Sequence, residues 1–415
     1  MIKVIVFAIF ILSTSALRDV CILGASASGM SVATFLKDKG YNPLVIEKAP
    51  YIGGHCNTFY FNPPAPGLPN WIDIGVQVYV NTAFLNSIGL GVWDLDSIAF
   101  ASRFTQYGVV NIDFTKPTTL LSADFKRNIT YGIVNTAPTP EFVLALETLF
   151  YIGYQYPWLN TGEYPDPIPP ELLVPFSDFI VEWGLEPLND IILRELVFGG
   201  GMGSYQNLTT VYALMYLSPA SLLFITTPNV TFSPIGGCIQ IYEGIERYIG
   251  SENLLVDTNT ILAIRPDEDD HRPVTLLLNQ AGRFRVEECE RLIVAFPPVF
   301  PDIDFLIPDL LEAELFVDAV PRYYFTAEIN VTGYLNSLPG YSLINVDLTQ
   351  PFNNCVLPAL LAVQRGLPYG PSVTGISSDV PISDQEAREI LVRGLGKIPN
   401  DLAATATLLN FRSHN

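Results

Sequence analysis

Small residues and one acid between residues 20 and 47 have the types and spacing of a dinucleotide-binding site. The segment Gly24-Ala25-Ser26-Ala27-Ser28-Gly29 lies between an apolar run and a helical pattern. A helix N-terminus carries unpaired N–H groups and a partial positive charge, so it attracts a pyrophosphate. Glu47 lies 23 residues after Gly24, close to the spacing of about 20 at which an acid accepts hydrogen bonds from a ribose.

The elements that must position these residues are a strand, a helix and a second strand. The apolar run 20–23 is typical of a buried parallel strand. Gly29, Val32, Ala33 and Leu36 predict one helical face, and Gly40 ends the helix before a strand at 44–46. Ser26 replaces the middle glycine of G-x-G-x-x-G. An ordinary β–α–β unit with a glycine-rich turn is therefore the alternative interpretation.

The start of the chain differs from the rest. Residues 1–17 combine Lys3, an apolar run and small residues near Thr14 and Ala16, which predicts a secretory signal peptide; an uncleaved membrane anchor is the alternative. Four N-x-T sequons agree with secretion and predict N-glycans at Asn128, Asn207, Asn229 and Asn330. We expect a protein that is secreted or lumenal, without a stable membrane span in its mature form.

Composition limits the function classes. With 49% hydrophobic residues and a net charge of −20, the chain has a large core and repels nucleic acid and anionic membranes. Five cysteines and three histidines form no Cys/His cluster, so no metal site is predicted. The odd count leaves at least one cysteine without an intramolecular disulfide. Cys21 is expected to be a packed thiol in the first strand.

Two further glycine-containing segments follow the second strand. Gly53 and Gly54 precede His55, and paired glycines allow the backbone to pass close to a cofactor. Asp73 and Gly75 belong to the segment Ile72-Asp73-Ile74-Gly75, which is predicted to be a short strand ending in a turn. The segment 232–256 then repeats the pattern of paired glycines, helix and strand.

The segments GASASG, VIEK, GGH and IDIG together resemble the N-terminal half of the FAD-dependent amine-oxidoreductase superfamily. Within that superfamily, the subgroup that the sequence most resembles is that of the secreted fungal flavoproteins similar to β-cyclopiazonate dehydrogenase. The resemblance implies an α/β fold: a Rossmann-like FAD-binding domain of the GR2 type, interleaved with an α+β substrate domain. It divides the chain into the FAD-binding parts 18–80 and 221–300 and the substrate-domain parts 81–220 and 301–415.

The resemblance also implies a set of FAD-binding residues. His55 stands where the family usually has arginine, and Ile261 is expected to approach the adenine through its backbone. The family usually ends in another FAD-contacting segment, which this sequence lacks; the expectation is a truncated sequence or weak flavin binding. The implied cofactor-binding residues are Gly24, Ser26, Ser28, Gly29, Glu47, Lys48, Gly53, Gly54, His55, Asp73, Gly75 and Ile261.

Three functions are compatible with these residues. The first is an oxidoreductase that removes a hydride from a small organic substrate, resembling amine oxidases or dehydrogenases. The second is an FAD-dependent double-bond isomerase of unsaturated fatty acids, and the third is a non-catalytic flavin-fold protein. Many amine oxidases of the family use a lysine near the flavin. Arg322 is the cation nearest to the strand around Tyr324, which argues against simple amine oxidation, and the sequence identifies no catalytic residue.

Aromatic residues, most of them tyrosines, are abundant between residues 151 and 216. They could line an apolar substrate cavity, but ordinary core packing is the expectation for most of them. They include Tyr151, Tyr154, Tyr156, Trp158, Tyr205, Tyr212 and Tyr216.

Overall fold

The computed structural model describes most of the chain. The described residues are 17–60, 71–76, 79–80, 100–102, 106–112, 128–130, 133–134, 139–219, 221–222, 231–234, 236–266, 272–319, 321–330, 341–345, 347, 349–365, 371–396 and 406–414. The signal-peptide prediction therefore lies outside the described residues except for Leu17. The same holds for the side chains of two sequon asparagines, Asn128 and Asn229.

The described strands and α-helices are numbered in chain order. The strands are β1 Arg18–Leu23, β2 Pro43–Ile46, β3 Cys56–Tyr60, β4 Trp71–Gly75, β5 Tyr79–Val80, β6 Phe100–Ser102, β7 Gln106–Ile112, β8 Asn128–Thr130, β9 Ile133–Val134, β10 Thr231–Pro234, β11 Leu254–Leu255, β12 Thr258–Ile264, β13 Val274–Gln280, β14 Arg283–Val294, β15 Tyr323–Asn330, β16 Tyr341–Asn345, β17 Ala359–Arg365, β18 Ser372–Ser378 and β19 Thr407–Ser413. The α-helices are α1 Ala27–Asp38, α2 Pro140–Gln155, α3 Phe176–Glu182, α4 Thr210–Tyr216, α5 Ile239–Ile249, α6 Leu310–Phe316 and α7 Asp384–Leu395.

The chain forms two compact units. Unit 1 comprises residues 1–57, 87–99 and 238–320, and unit 2 comprises 58–86, 100–237 and 321–415. The units interleave in sequence and change at residues 57, 86, 99, 237 and 320. The predicted domain bounds at 80, 220 and 300 stay a prediction. Within unit 2, Ile72 and Ile74 of β4 contact Val373 of β18.

Unit 1 is built on a six-stranded sheet with the order β11-β2-β1-β14-β13-β12. The first four strands are parallel, with Val20 opposite Pro43 and Cys21 opposite Leu292, and the last three form an antiparallel meander. Strand β2 and residues 20–23 of β1 are apolar and buried, as is typical of a parallel sheet. The predicted strand–helix–strand segment is therefore confirmed, and its strands end at the same edge of the sheet.

Helix α1 buries a slightly different face from the one predicted. Gly29 and Ala33 are buried as expected, whereas Val32 and Leu36 are only half-buried. Met30 and Thr34 take their place, because the Thr34 hydroxyl donates to the Met30 carbonyl at 2.8 Å and so needs no other partner when buried. The helix ends before Gly40, whose φ of +85° suits a glycine.

Unit 2 contains an eight-stranded sheet with the order β19-β15-β18-β17-β16-β7-β8-β9. All neighbouring pairs are antiparallel except β16 and β7. Phe325, Ala327 and Ile329 of β15 face the helix α7, which begins at a capping box formed by Ser383 and Glu386. Helices of the segment 140–222 form a second apolar cluster in this unit, and its segment Asn189–Phe198 is a π-helix.

The tyrosine prediction is wrong for most of the set. Tyr205 is fully buried against Phe176, but Tyr151, Tyr154, Tyr212 and Tyr216 are 50–69% exposed. These four lie on α2 and α4, whose buried faces are occupied by aliphatic side chains.

Candidate dinucleotide-binding site

The turn between β1 and α1 leaves the N-terminus of the helix open. The Gly24 N–H donates to the Ile46 carbonyl at 2.8 Å, and the φ of Gly24 is +108°, which only glycine adopts easily. Ser26 is the N-cap residue but makes no side-chain capping hydrogen bond, and the first backbone bond of the helix runs from Met30 N–H to the Ser26 carbonyl. The amides of the first turn therefore remain available to an anion.

Gly29 allows the helix to approach the strand closely. A Cβ atom at Gly29 would lie 1.9 Å from the carbonyl oxygen of Gly24 and 3.3 Å from the Cβ of Ala295. No side chain fits that space. This is the packing role of the last glycine in a dinucleotide turn.

The two serines of the turn contact the end of β14. The hydroxyl of Ser28 donates to the Ala295 carbonyl at 3.2 Å, and that of Ser26 donates to the same oxygen at 3.4 Å. Ala27 and Ser28 are exposed, and Ser26 is half-buried. Serine at the position of the middle glycine therefore leaves the surface over the turn accessible while it links β1 and β14.

Glu47 lies at the carboxyl end of β2, and its carboxylate is fixed by backbone amides. One oxygen accepts from the Ala25 N–H at 2.7 Å, and the other accepts from the Ala49 N–H at 2.8 Å. Because a carboxylate has about four acceptor positions, capacity for ribose hydroxyls remains. The side chain is half-buried, and the neighbouring Lys48 is exposed.

The paired glycines pack on the turn. Gly53 N–H donates to the Ala25 carbonyl at 2.8 Å, and a Cβ atom at Gly54 would lie 2.7 Å from the Cβ of Ser26. Both glycines have positive φ. The exposed His55 follows directly. The structure thus brings Gly24, Ser26, Ser28, Gly29, Glu47, Lys48, Gly53, Gly54 and His55 together in unit 1.

Three predicted site residues belong to other elements. Ile261 lies in β12 of unit 1, at an irregularity in its pairing with β13, and its side chain is 46% exposed. Asp73 and Gly75 belong to unit 2, where the buried Asp73 accepts a hydrogen bond from the Thr58 hydroxyl at 2.6 Å. That bond joins β3 to β4. Cofactor binding by these three residues stays a prediction.

A buried acid in unit 2 escaped the sequence analysis. Glu328 of β15 is fully buried, and both of its oxygens lack a hydrogen-bond partner among the described residues. Burial raises its pKa to about 8. Its only sequence signal is a single acid in the otherwise uncharged strand YYFTAEIN.

Arg322 and Tyr324 flank the start of the same strand. Arg322 pairs with Asp379 and donates to the Asn207 carbonyl at 3.2 Å, so this cation is engaged in unit 2. Burial raises the pKa of Tyr324 to about 12. A Cβ atom at Gly201 would lie 2.5 Å from the Tyr324 ring, which explains one glycine of the run 199–201.

The cysteine prediction needs a correction. Cys21 is not a packed thiol but forms a disulfide with Cys289, and Cys56 forms one with Cys238. The fifth cysteine, Cys355, is a buried thiol. Among the described residues, no group of three or more His, Cys, Asp or Glu side chains could hold a metal ion. In the same part of the chain, no helix has the length and hydrophobicity of a membrane span.

Comparisons with known proteins agree with this geometry. A family described as NAD(P)-binding Rossmann-like domain matches residues 22–87. An uncharacterized protein of Acanthamoeba polyphaga mimivirus, R656, is 32% identical over 408 residues, which are 96% of this chain and 82% of that protein. The β-cyclopiazonate dehydrogenase of Aspergillus oryzae is 25% identical over 80% of this chain. The chain spans 65% of the length of that fungal relative.

Solved structures share the fold at low identity. A CLA-producing fatty acid isomerase from P. acnes has a TM-score of 0.69 and 14% identity, over 97% of this chain and 86% of its own. Putrescine oxidase bound to putrescine has a TM-score of 0.63 and 16% identity, over 96% and 84%.

These observations define a Rossmann-type dinucleotide-binding protein. More closely, the chain belongs to the FAD-dependent amine-oxidase-like superfamily. FAD is the cofactor of this family, and the residues present fit it. The backbone amides in the first turn of α1 are available to a pyrophosphate, and Gly29 allows α1 to pack closely on β1. Glu47, at the end of the neighbouring strand β2, has a carboxylate that is fixed by hydrogen bonds.

Proposed function

We propose that the protein is a secreted FAD-dependent oxidoreductase that removes a hydride from a small organic substrate. The observation that carries the proposal is that two features occur at the same turn. The N-terminus of α1 has no side-chain cap, and the carboxylate of Glu47 accepts a hydrogen bond from the Ala25 N–H of that turn. Bound FAD supplies the hydride acceptor. The fungal relatives, named as FAD-dependent oxidoreductases and a dehydrogenase, support the same class.

The residues of unit 1 then have distinct roles. The α1 amides bind the pyrophosphate, and the close packing at Gly29 lets it approach the backbone. Glu47 accepts from the ribose hydroxyls and, by holding the Ala25 amide, keeps the turn in the binding conformation. Gly53 and Gly54 let the chain pass over the turn without side chains in the way.

Secretion is part of the proposal. Two disulfides are typical of an oxidising compartment. The sequon residues Asn207 and Asn330 are both exposed, so neither would need to unfold to carry a glycan. A small-molecule substrate agrees with the family, and the net charge of −20 disfavours nucleic acid as a partner.

The test is an absorption spectrum followed by substrate screening. The secreted protein is purified from a eukaryotic host, and FAD is added to any portion that lacks it. The proposal expects a flavin spectrum, and anaerobic bleaching of it by members of a panel of amines and related small organic compounds. A protein that stays colourless after FAD addition would overturn it in favour of a non-catalytic fold. Diene absorbance appearing from unsaturated fatty acids without oxygen consumption would instead identify an isomerase.

A further inference from the structure

We infer that the Cys56–Cys238 disulfide is a positioning element for FAD: it holds the loop Gly53-Gly54-His55 against the dinucleotide turn. The inference rests on the proposed FAD binding. It assigns a binding role to a cross-link that would otherwise be regarded as a source of stability alone. The second disulfide of unit 1, Cys21–Cys289, provides an internal comparison.

The two sulfurs join the ends of two glycine segments. Cys56 begins β3 directly after the loop, and Cys238 is the N-cap residue of α5, directly after Gly236 and Gly237. The Cα atoms are 5.8 Å apart, and 182 residues separate the cysteines in sequence. Both side chains are buried. The disulfide therefore fixes one end of the loop to the start of a helix that is remote in the chain.

The other end of the loop contacts the turn directly. Gly53 N–H donates to the Ala25 carbonyl at 2.8 Å, and Cys56 N–H donates back to the Gly53 carbonyl at 2.9 Å. A Cβ atom at Gly53 would lie 3.4 Å from the ring of Tyr242, one turn into α5. The loop is thus confined between the turn that receives the pyrophosphate and the helix that Cys238 begins.

Loop residues of this type lose conformational entropy when they are ordered by a ligand. Glycines with positive φ, as at Gly53 and Gly54, have the most freedom to lose. A cross-link that orders the loop before FAD arrives removes that cost from binding. Breaking the Cys56–Cys238 bond should therefore weaken FAD binding beyond any effect on folding.

The Cys21–Cys289 disulfide lacks this connection. It joins β1 and β14, which already pair along their length, with Arg18 opposite Cys289 and Leu23 opposite Val294. Its cysteines are 268 residues apart. Since the entropic contribution of a cross-link grows only with the logarithm of loop length, the two disulfides should stabilise the fold by similar amounts. The two disulfides differ in the segments that they join, because only Cys56–Cys238 holds the loop Gly53-Gly54-His55 in place.

The experiment compares the double variants Cys56→Ala/Cys238→Ala and Cys21→Ala/Cys289→Ala as full-length proteins. The apoprotein Tm and the FAD Kd, from quenching of flavin fluorescence, are measured for each. Both variants should have a lower Tm than the wild-type protein. Only the first should bind FAD roughly tenfold more weakly or worse, while the second stays within about twofold of wild type. Equal Kd changes in both variants, or none in the first, would overturn the inference.

A second measurement needs no variant. Because coupling between two equilibria is reciprocal, bound FAD should lower the fraction of Cys56–Cys238 that is reduced at equilibrium in a dithiothreitol redox buffer. Alkylation and mass mapping would follow each disulfide separately. Protection of this bond relative to Cys21–Cys289 supports the inference, and an equal effect of FAD on the reduced fractions of both disulfides contradicts it. A wild-type protein that binds no FAD would instead refute the proposed function.

Discussion

The carboxylate of Glu47 accepts a hydrogen bond at 2.7 Å from the backbone amide of Ala25, which precedes the N-cap residue of α1. One acid therefore contributes to two parts of the same site. It fixes the turn that we propose binds the pyrophosphate, and it carries the acceptor predicted for the ribose. This dual role separates the effects of two substitutions at the same position.

Glu47→Gln should weaken FAD binding at a smaller cost in stability than Glu47→Ala, because the glutamine oxygen can still accept from one of the two backbone amides that Glu47 binds. Glutamine keeps one oxygen acceptor but loses the charge, and a hydrogen bond to a charged group contributes about 1.5–3 kcal/mol. We expect a Kd for FAD that rises roughly 10- to 100-fold, measured by fluorescence titration. Glu47→Ala should lower the apoprotein Tm as well, because the Ala25 and Ala49 amides lose their acceptor.

The control for that substitution is Glu290→Gln. Glu290 is an exposed acid of the neighbouring strand β14, so its removal changes net charge equally without touching the turn. Its FAD Kd should match that of wild type. Equal FAD affinity in Glu47→Gln and wild type would exclude the ribose assignment.

Gly29→Ala should destabilise the protein by sterics, by about 3 kcal/mol, in the upper range for overpacking. The new methyl group would lie 1.9 Å from the Gly24 oxygen, so helix and strand must separate and the pyrophosphate site must open. The free energy of unfolding, measured by urea denaturation, and the flavin content of the purified protein should both fall. Gly40→Ala is the matched control, because Gly40 also has a demanding backbone but no atom within 4 Å of its Cβ position.

The control should cost about 1–2 kcal/mol through its positive φ alone and leave FAD binding unchanged. The two variants thus separate backbone strain from close packing. If Gly29→Ala were as stable as Gly40→Ala and fully flavinated, the proposed packing of α1 on β1 would be wrong.

The sequence predicted the turn and its flanking elements because their determinants are local. Gly24, Gly29, Gly40 and Glu47 all act within about 25 residues, through φ, close packing and one hydrogen bond. Helix α7 also begins at a local signal, since Ser383 and Glu386 form its capping box. Local chemistry of this kind can be recognised without a structure.

Non-local relationships were not recoverable from the sequence. Cys21 and Cys289 are 268 residues apart, and only the parallel pairing of β1 with β14 brings them together. The Asp73–Thr58 bond depends on the pairing of β3 with β4. The strands β17, β18 and β19 were missed. The buried Glu328 was missed because exposure of a strand residue depends on what covers the sheet.

Glycosylation follows from the exposed sequons. Asn207 lies next to a turn, and Asn330 ends β15, so both are accessible in the folded protein. We expect the secreted protein to shift in mass on treatment with an N-glycosidase. Asn207→Gln and Asn330→Gln should each remove one glycan while the Tm changes little. An unchanged mass in wild type and both variants would contradict a secretory route.

Glu328→Gln should change how stability depends on pH. Burial raises the pKa of Glu328 from its ordinary value of about 4.5 to about 8 in the folded protein, so the carboxyl is protonated in both states below pH 4.5. As the pH rises from 4.5 to 8, the unfolded chain loses its proton first. The free energy of unfolding therefore falls by up to about 1.4 kcal/mol per pH unit, and the decline ends above the folded pKa.

Glutamine at this position does not ionise, so Glu328→Gln should flatten that decline and be more stable than wild type at pH 8. Urea denaturation at several pH values between 4.5 and 8.5 would measure how the free energy of unfolding of each variant depends on pH. Glu147→Gln, at an exposed position of α2, should keep the wild-type slope. A wild-type slope in Glu328→Gln would mean that the carboxyl is solvated or paired in solution. A flat profile together with lower turnover would instead show that this buried acid is retained for activity at the expense of stability.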